Sequence, residues 1–389
     1  MHRLWLELQH WTLPRSRLAS ARRLLMAAGV TLAMPTVAIA APAARQGLAE
    51  DIATAEQAVK ALEQDKEVAA AVVIGQQLQL LRLYREAAAA KKVAAVAKKL
   101  LDGFAKRGLV KDGGRVAAMA AEAQFWLLDQ RAGEVLQRKG PKLAKGKAQA
   151  QLSAQFKTWT AEIAGTPVAA AADALAGRQG GLCGALHGEV GAYFSREWQV
   201  ASAWLQARLL GHLSALATAV SAPAGSPPEE QAAVRQLASQ QAAAWQEEAT
   251  VLLQSAWAAI DRHSLDTPYK AEVLRDLNRY QPRQFPLSRV RGERWLDKAS
   301  EGAATMLREA GVLDDLRACY DRHLVRVPDD LIGEISVTLQ LQDGKLSVQQ
   351  AEHADPETVT CVQQRLAAPR SGLTGGPLVV RLRLEFASL

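Results

Sequence analysis

Cysteine is scarce in this chain, with three in 389 residues, at Cys183, Cys319 and Cys361. That excludes a disulfide-dense scaffold. Catalytic signatures are missing too: there is no Gly-rich phosphate loop, no H-E-x-x-H and no G-x-S-x-G. Aromatic residues make up only 5 %. The tryptophans at 126, 159, 198, 204, 245, 257 and 295 stand at irregular spacing. Most read as core anchors, because a carbohydrate platform needs two or three on one exposed face. From Leu48 to about Leu307, β-branched runs are rare, and Ala, Gln, Leu and Glu dominate. This stretch is expected to be almost wholly helical.

An excess of charge also disappears on inspection. The formal net charge is +7, but the first forty residues hold Arg3, Arg15, Arg17, Arg22 and Arg23 against Glu7 alone. Arginines are followed by an uncharged run from Leu24 to Ala40 that ends Ala38-Ile39-Ala40. A basic segment, an apolar run and a small-x-small ending predict a signal peptide over 1–40, with export to the periplasm or envelope. The run also reaches the lower length of a membrane span, so a retained inner-membrane anchor is the competing reading. With that leader removed, the remaining charge is +3. A nucleic-acid partner therefore gains no support.

What is present is helical periodicity. Val93, Val96, Leu100 and Phe104 fall on one face, and Lys111-Asp112-Gly113-Gly114 marks a turn. A helix follows from Arg115 to about Leu136, and another from Ala148 to about Ile163. Between them, Arg138 to Lys147 places Lys139, Lys142, Lys145 and Lys147 in one connector. Those lysines suit an anionic partner such as lipid headgroups or a cell-wall polymer. A solvated loop between two helices, without any aromatic interleaving, is the preferred account of them. Gly177 to Gly184 reads as a flexible break. Ser221 to Pro228 is a loop before a long helix towards Arg262, and Thr267-Pro268 opens a further helix bearing Tyr269, Val273 and Leu277. Successive helices joined by short turns predict a solenoid or bundle over 41–307.

Near the end of the chain the period changes. Ile335, Val337, Leu339 and Leu341 alternate with polar residues, and Asp343-Gly344 suits a hairpin turn. Leu346 and Val348 continue on a returning strand. Pro356 to Ala367 reads as a helix, and Leu378 to Phe386 alternate through a last strand. With the helix that carries Leu316, Tyr320 and Leu324, the predicted order over 308–389 is helix, strand, strand, helix, strand.

These residues carry a resemblance. Cys319-Tyr320, Leu331-Ile332-Gly333, Asp343-Gly344-Lys345, Cys361-Val362, Ala368-Pro369 and Gly375-Gly376 resemble the AgmX/PglI C-terminal domain, itself similar to the C-terminal domain of TonB energy transducers. Ala121-Glu122-Ala123-x-Phe125 and Lys270 to Pro286 resemble tetratricopeptide-like regions of myxobacterial envelope and gliding-motility proteins. Together these imply a mostly α chain ending in a small α+β module. The implied role is a non-enzymatic envelope adaptor in a motility or trans-envelope complex. An energy transducer is implied instead if the leader is retained, and a glycan-acting envelope enzyme with its site in the helices is the other alternative.

Candidate sites follow. Cys319 and Cys361 lie on two predicted helices of the small module, and a disulfide is their natural state in an oxidising compartment. Two buried thiols are the alternative, and a redox pair lacks the C-x-x-C spacing. Val379, Arg381, Arg383 and Glu385 on the last strand are the candidate partner-binding edge for strand addition. Cys183 and His187 stand four apart, a spacing open to a metal or a nucleophile–base pair, but no carboxylate completes such a site. Asp355, in a strand-to-helix loop with His353, is placed to cap the helix at Pro356. Neither a catalytic residue nor a cofactor or metal is expected.

Overall fold

The computed structural model describes residues 41–65, 68–168, 175–328, 330, 332–368, 373 and 377–388. The expected signal peptide, and Leu331, Pro369 and Gly375-Gly376 of the resemblance, lie outside them. Two compact units divide the chain at Thr54/Ala55. The described part of the first is helical and continues into the second as α1 (Ala41–Gln64). No helix among the described residues is long and apolar enough to cross a membrane.

The second unit is built first from helices. α2 (Ala70–Glu86), α3 (Ala90–Lys106) and α4 (Arg115–Leu136) pack on one another. Their shared core includes Leu81, Leu100, Phe104, Ala120 and Phe125. Ala117, Ala120, Ala121 and Ala123 are all buried on α4, and such small side chains allow helix axes to approach closely. α5 (Ala148–Trp159) runs on into a π-helical turn, Thr160–Ala164. Where the sequence suggested only a flexible break, β1 (Thr166–Val168) and β2 (Gly177–Gln179) pair as a small antiparallel hairpin. The short helix α6 (Gly181–Ala185) follows. Gly180 and Gly181 have φ of 75° and 61°, which only glycine adopts without strain, and they turn the chain there. The long helices α7 (Arg196–Thr218) and α8 (Pro228–Arg262) form the most extensive helix pair. α9 (Tyr269–Tyr280) packs on both, burying Tyr269, Val273 and Leu277 as the periodicity predicts.

The C-terminal part is a four-stranded sheet backed by helices. Its elements are β3 (Ser288–Trp295), α10 (Lys298–Glu309), α11 (Val312–Arg326), β4 (Ile332–Gln342), β5 (Lys345–Glu352), α12 (Pro356–Leu366) and β6 (Leu378–Ser388). The five predicted elements are all there. β3 and α10 were not foreseen as parts of this module, and both belong to it. β3 pairs with β6, and α10 packs on β6. The strand order is β3-β6-β4-β5, antiparallel throughout. Alternation sets the two faces: Ile335, Val337, Leu339, Leu341, Val380, Leu382, Leu384 and Phe386 are buried with Leu307, Leu316, Cys319 and Tyr320 from the helices. Each such side chain, removed from water, stabilises the fold by about 1.5–3 kcal/mol.

β6 is therefore not an edge. It is paired with β4 over its length and with β3 from Leu382 to Ser388. Just before that pairing, Arg381 is engaged on the same side as well, since its carbonyl accepts from the Leu296 amide at 3.1 Å. The Arg381 amide in turn donates to Ser300 Oγ at 2.9 Å. The expected edge role of Val379, Arg381, Arg383 and Glu385 fails for this reason: β3, arriving from outside the predicted module, covers the strand. Their side chains stand instead on the open face of the sheet, where Arg383 pairs with Glu334 at 3.2 Å and Glu385 with Arg294 at 3.8 Å.

Candidate functional site

Helix α11 organises the surroundings of the sheet. Its apolar side presents Leu316, Cys319 and Tyr320 to the core, and the Tyr320 ring stacks on Phe386 at 4.8 Å between centroids. Cys319 is bonded to Cys361 of α12, with the two Cα atoms 5.7 Å apart, the pairing expected of these two cysteines. Asp321 is fully buried and ties the helical part to the sheet. It accepts from Asn278 Nδ2 of α9 at 3.0 Å, the Leu287 amide at 3.1 Å and Ser288 Oγ at 2.5 Å. Burial raises its pKa, opposed by those three hydrogen bonds.

The next turn of α11 carries His323, which bridges two loops. Its Nε2 lies 2.7 Å from Asp330 and its Nδ1 3.2 Å from Asp355. Asp355 caps α12, as its position before Pro356 predicts, accepting from the Glu357 amide at 3.1 Å and Thr358 Oγ1 at 2.8 Å. Arg326 also donates to it. Burial works against the charged form of Asp355, but these donors outweigh it and hold the carboxyl below the usual range. The Asp355 amide donates in turn to His353 Nδ1 at 2.9 Å. Burial, and then the neighbouring His323, lower the pKa of His353. His323, His353 and Asp355 offer three ligand atoms within 4.8 Å of one another. Both ring nitrogens of His323, the Nδ1 of His353 and the Asp355 carboxylate are in hydrogen bonds, and a guanidinium holds that carboxylate, so the cluster reads as a brace for the start of α12.

Two recesses flank this brace. The first, of about 640 Å³, is lined by β4 from Ile332 to Glu334, by Ser336, and by residues 351–354, with Asp330 and Val359 closing it. It exists because of the register: β5 ends at Glu352 opposite Ser336, and the chain then leaves for α12. Ile332, Gly333, Glu334 and Ile335 thus have β6 on one side and, among the described residues, no strand on the other. Alternate backbone groups of such a stretch point into the gap. Ile332 is 59 % exposed beside it. The outer edges are less suited to a visiting strand. β3 carries Arg289, Arg291 and Arg294 and a register shift at Val290/Gly292, and β5 has an extra residue, Gln349, opposite Thr338/Leu339. Charge and bulges both blunt a sheet edge.

The second recess, about 350 Å³, lies between α9, α11 and α12 and is lined by Asn278, Arg279, Pro282, Ala318, Arg322, Val325, Arg326 and Arg365. Its arginines come from three helices, so no local motif shows them. Burial, and then the guanidinium groups of Arg365 and Arg326, lower the pKa of Arg322.

The remaining predicted sites stay apart from these recesses. Lys139, Lys142, Lys145 and Lys147 are all exposed on the connector from α4 to α5. That loop is held by Glu230, which accepts from the Gly146 and Ala148 amides at 3.2 and 3.1 Å. Cys183 is fully buried in α6, and its thiol lies 4.0 Å from the Gln206 carbonyl. Burial pushes that thiol up to about 12, which leaves no thiolate for chemistry. The tryptophans pack ring against ring: Trp126, Trp198 and Tyr269 surround Phe125, and Trp159 and Trp245 meet at Phe156. Trp126, Trp159, Trp198 and Trp245 are buried core anchors, as expected of most, whereas Trp204, Trp257 and Trp295 are half-buried. No family model, curated protein or solved structure matches the chain.

Proposed function

We propose that this chain is a non-enzymatic adaptor of the bacterial cell envelope that takes an extended segment of a partner protein into the slot beside the first half of β4. The slot carries the reading. Strand addition draws its affinity from backbone hydrogen bonds, and Ile332–Ile335 is a stretch of this sheet whose partner strand stops short beside a recess. Support for an exported protein comes from the leader-like residues 1–40 and from the Cys319–Cys361 bond. Support for a binding module comes from the likeness of the C-terminal motifs to the AgmX/PglI and TonB C-terminal domains. The tetratricopeptide-like reading of the helices adds a second partner surface, within a motility or trans-envelope complex.

The test is photocrosslinking from position 332 in the full chain inside intact cells. One envelope protein should be captured through a single extended segment, and Ile332→Asp should abolish its binding to the purified chain. Crosslinks scattered over many proteins, or binding that survives Ile332→Asp, would remove the slot as the docking site.

A further inference from the structure

Half of the residues lining the recess between α9, α11 and α12 are arginines, and none is acidic. Arg279, Arg326 and Arg365 each hold carboxylates: Asp276 at 3.0 Å, Asp355 with Glu357 at 3.2 Å, and Asp315 at 3.2 Å respectively. Arg322 has no carboxylate partner among the described residues. Its Nη1 lies 3.8 Å from Cys361 Sγ, a weak acceptor. The disulfide explains why the positive charges stay together. Arg322 is three residues after Cys319 and Arg365 four after Cys361, so each stands one helical turn from the crosslink. Like charges that would push α11 and α12 apart are thus held across one opening. The ion pairs of Arg326 and Arg365 already join α11 to α12, but Arg322 gains no such partner from folding, and an anion entering the recess would supply one.

We propose that this recess binds the phosphate group of a phosphate ester, with Arg322 as its central donor. Guanidinium groups arriving from three helices offer more donors than the two oxygens of a carboxylate can accept, and a tetrahedral oxyanion matches them better. The volume exceeds that of a bare phosphate, which leaves room for the esterified group. The ester can be a small soluble molecule or a lipid headgroup, and both present the same chemistry. This site is separate from the slot beside β4 and does not depend on it.

The experiment uses the oxidised full chain. Glycerol 3-phosphate is titrated calorimetrically, and phosphatidylglycerol vesicles are compared with phosphatidylcholine vesicles by cosedimentation. Saturable binding near one equivalent is expected with at least one phosphate probe. Arg322→Gln should weaken it by about tenfold or more, while Lys142→Gln and Ile332→Asp leave it unchanged. Without ligand, Arg322→Gln should raise the melting temperature, because repulsion is relieved. Binding of the soluble probe alone assigns a free ester, and preference for the anionic vesicles assigns a headgroup. The proposal is overturned if neither probe binds, if Arg322→Gln binds like the parent, or if Lys142→Gln loses as much. It is equally overturned if Arg322→Gln melts lower without ligand, since Arg322 would then be holding the fold.

Discussion

Gly333 lies flat against the ring of Tyr320: a Cβ placed on it would come within 2.2 Å of Tyr320 Cε2 and 2.6 Å of its hydroxyl oxygen. The ring cannot step aside, because it is fully buried and stacked on Phe386. The strand passes over α11 at this distance only because position 333 has no side chain. Gly333→Ala should therefore lower stability by about 1–3 kcal/mol, the usual cost of overpacking. Denaturant unfolding would check this, and an unchanged midpoint would show that β4 shifts freely.

The Cys319–Cys361 bond closes a loop of 42 residues. Replacing both cysteines by alanine should cost on the order of 3–4 kcal/mol, mainly by freeing the unfolded chain. Melting of the variant beside the oxidised parent reads this directly. Peptide mapping without reductant should recover the two cysteine peptides joined.

Asp321 joins the helical part to the sheet through three donors from outside its helix. Asp321→Ala would leave the Leu287 amide and the Ser288 hydroxyl buried without this acceptor. A loss on the order of 3 kcal/mol is expected. Hydrogen exchange should show it first as loss of protection in β3. A change under 0.5 kcal/mol, within the range of ordinary surface substitutions, would mean that water or another acceptor takes over.

The pH dependence around the α12 brace has a definite sign. His353 has a folded pKa lowered from the ordinary 6.5 by burial and by His323. The unfolded chain then takes up its proton first, so stability is full above about 6.5 and falls as pH drops towards the folded value. Asp355 is likewise lowered, and its contribution is lost only in stronger acid, below the ordinary 3.8. Melting temperature against pH should therefore decline in two separate steps. His353→Gln should shrink the upper step, to which His187 and His212, whose pKa values burial also lowers, contribute, and leave the acid step in place. A parent curve that rises on going from pH 7 to 5.5 would contradict this account.

Much of the architecture was legible from local pattern, because local pattern is what sets helix and strand. Period-four apolar spacing located α9, alternation located β4 and β6, and a proline after an acidic residue located the start of α12. The two cysteines could be paired because each was visibly on a helix of one small module. What stayed hidden depends on residues meeting across long stretches of chain. Ser288–Trp295, broken by Gly292 and rich in arginine, has no clean alternation. Only pairing with β6, about ninety residues later, makes it a strand, and that pairing moved the sheet edge away from Val379–Glu385. The length of β5 relative to β4, which opens the slot, is a matter of register. The arginine recess, in turn, draws its residues from three helices whose closeness the tertiary structure alone decides. Backbone periodicity is encoded residue by residue, whereas edges, gaps and convergent charges belong to the packed chain.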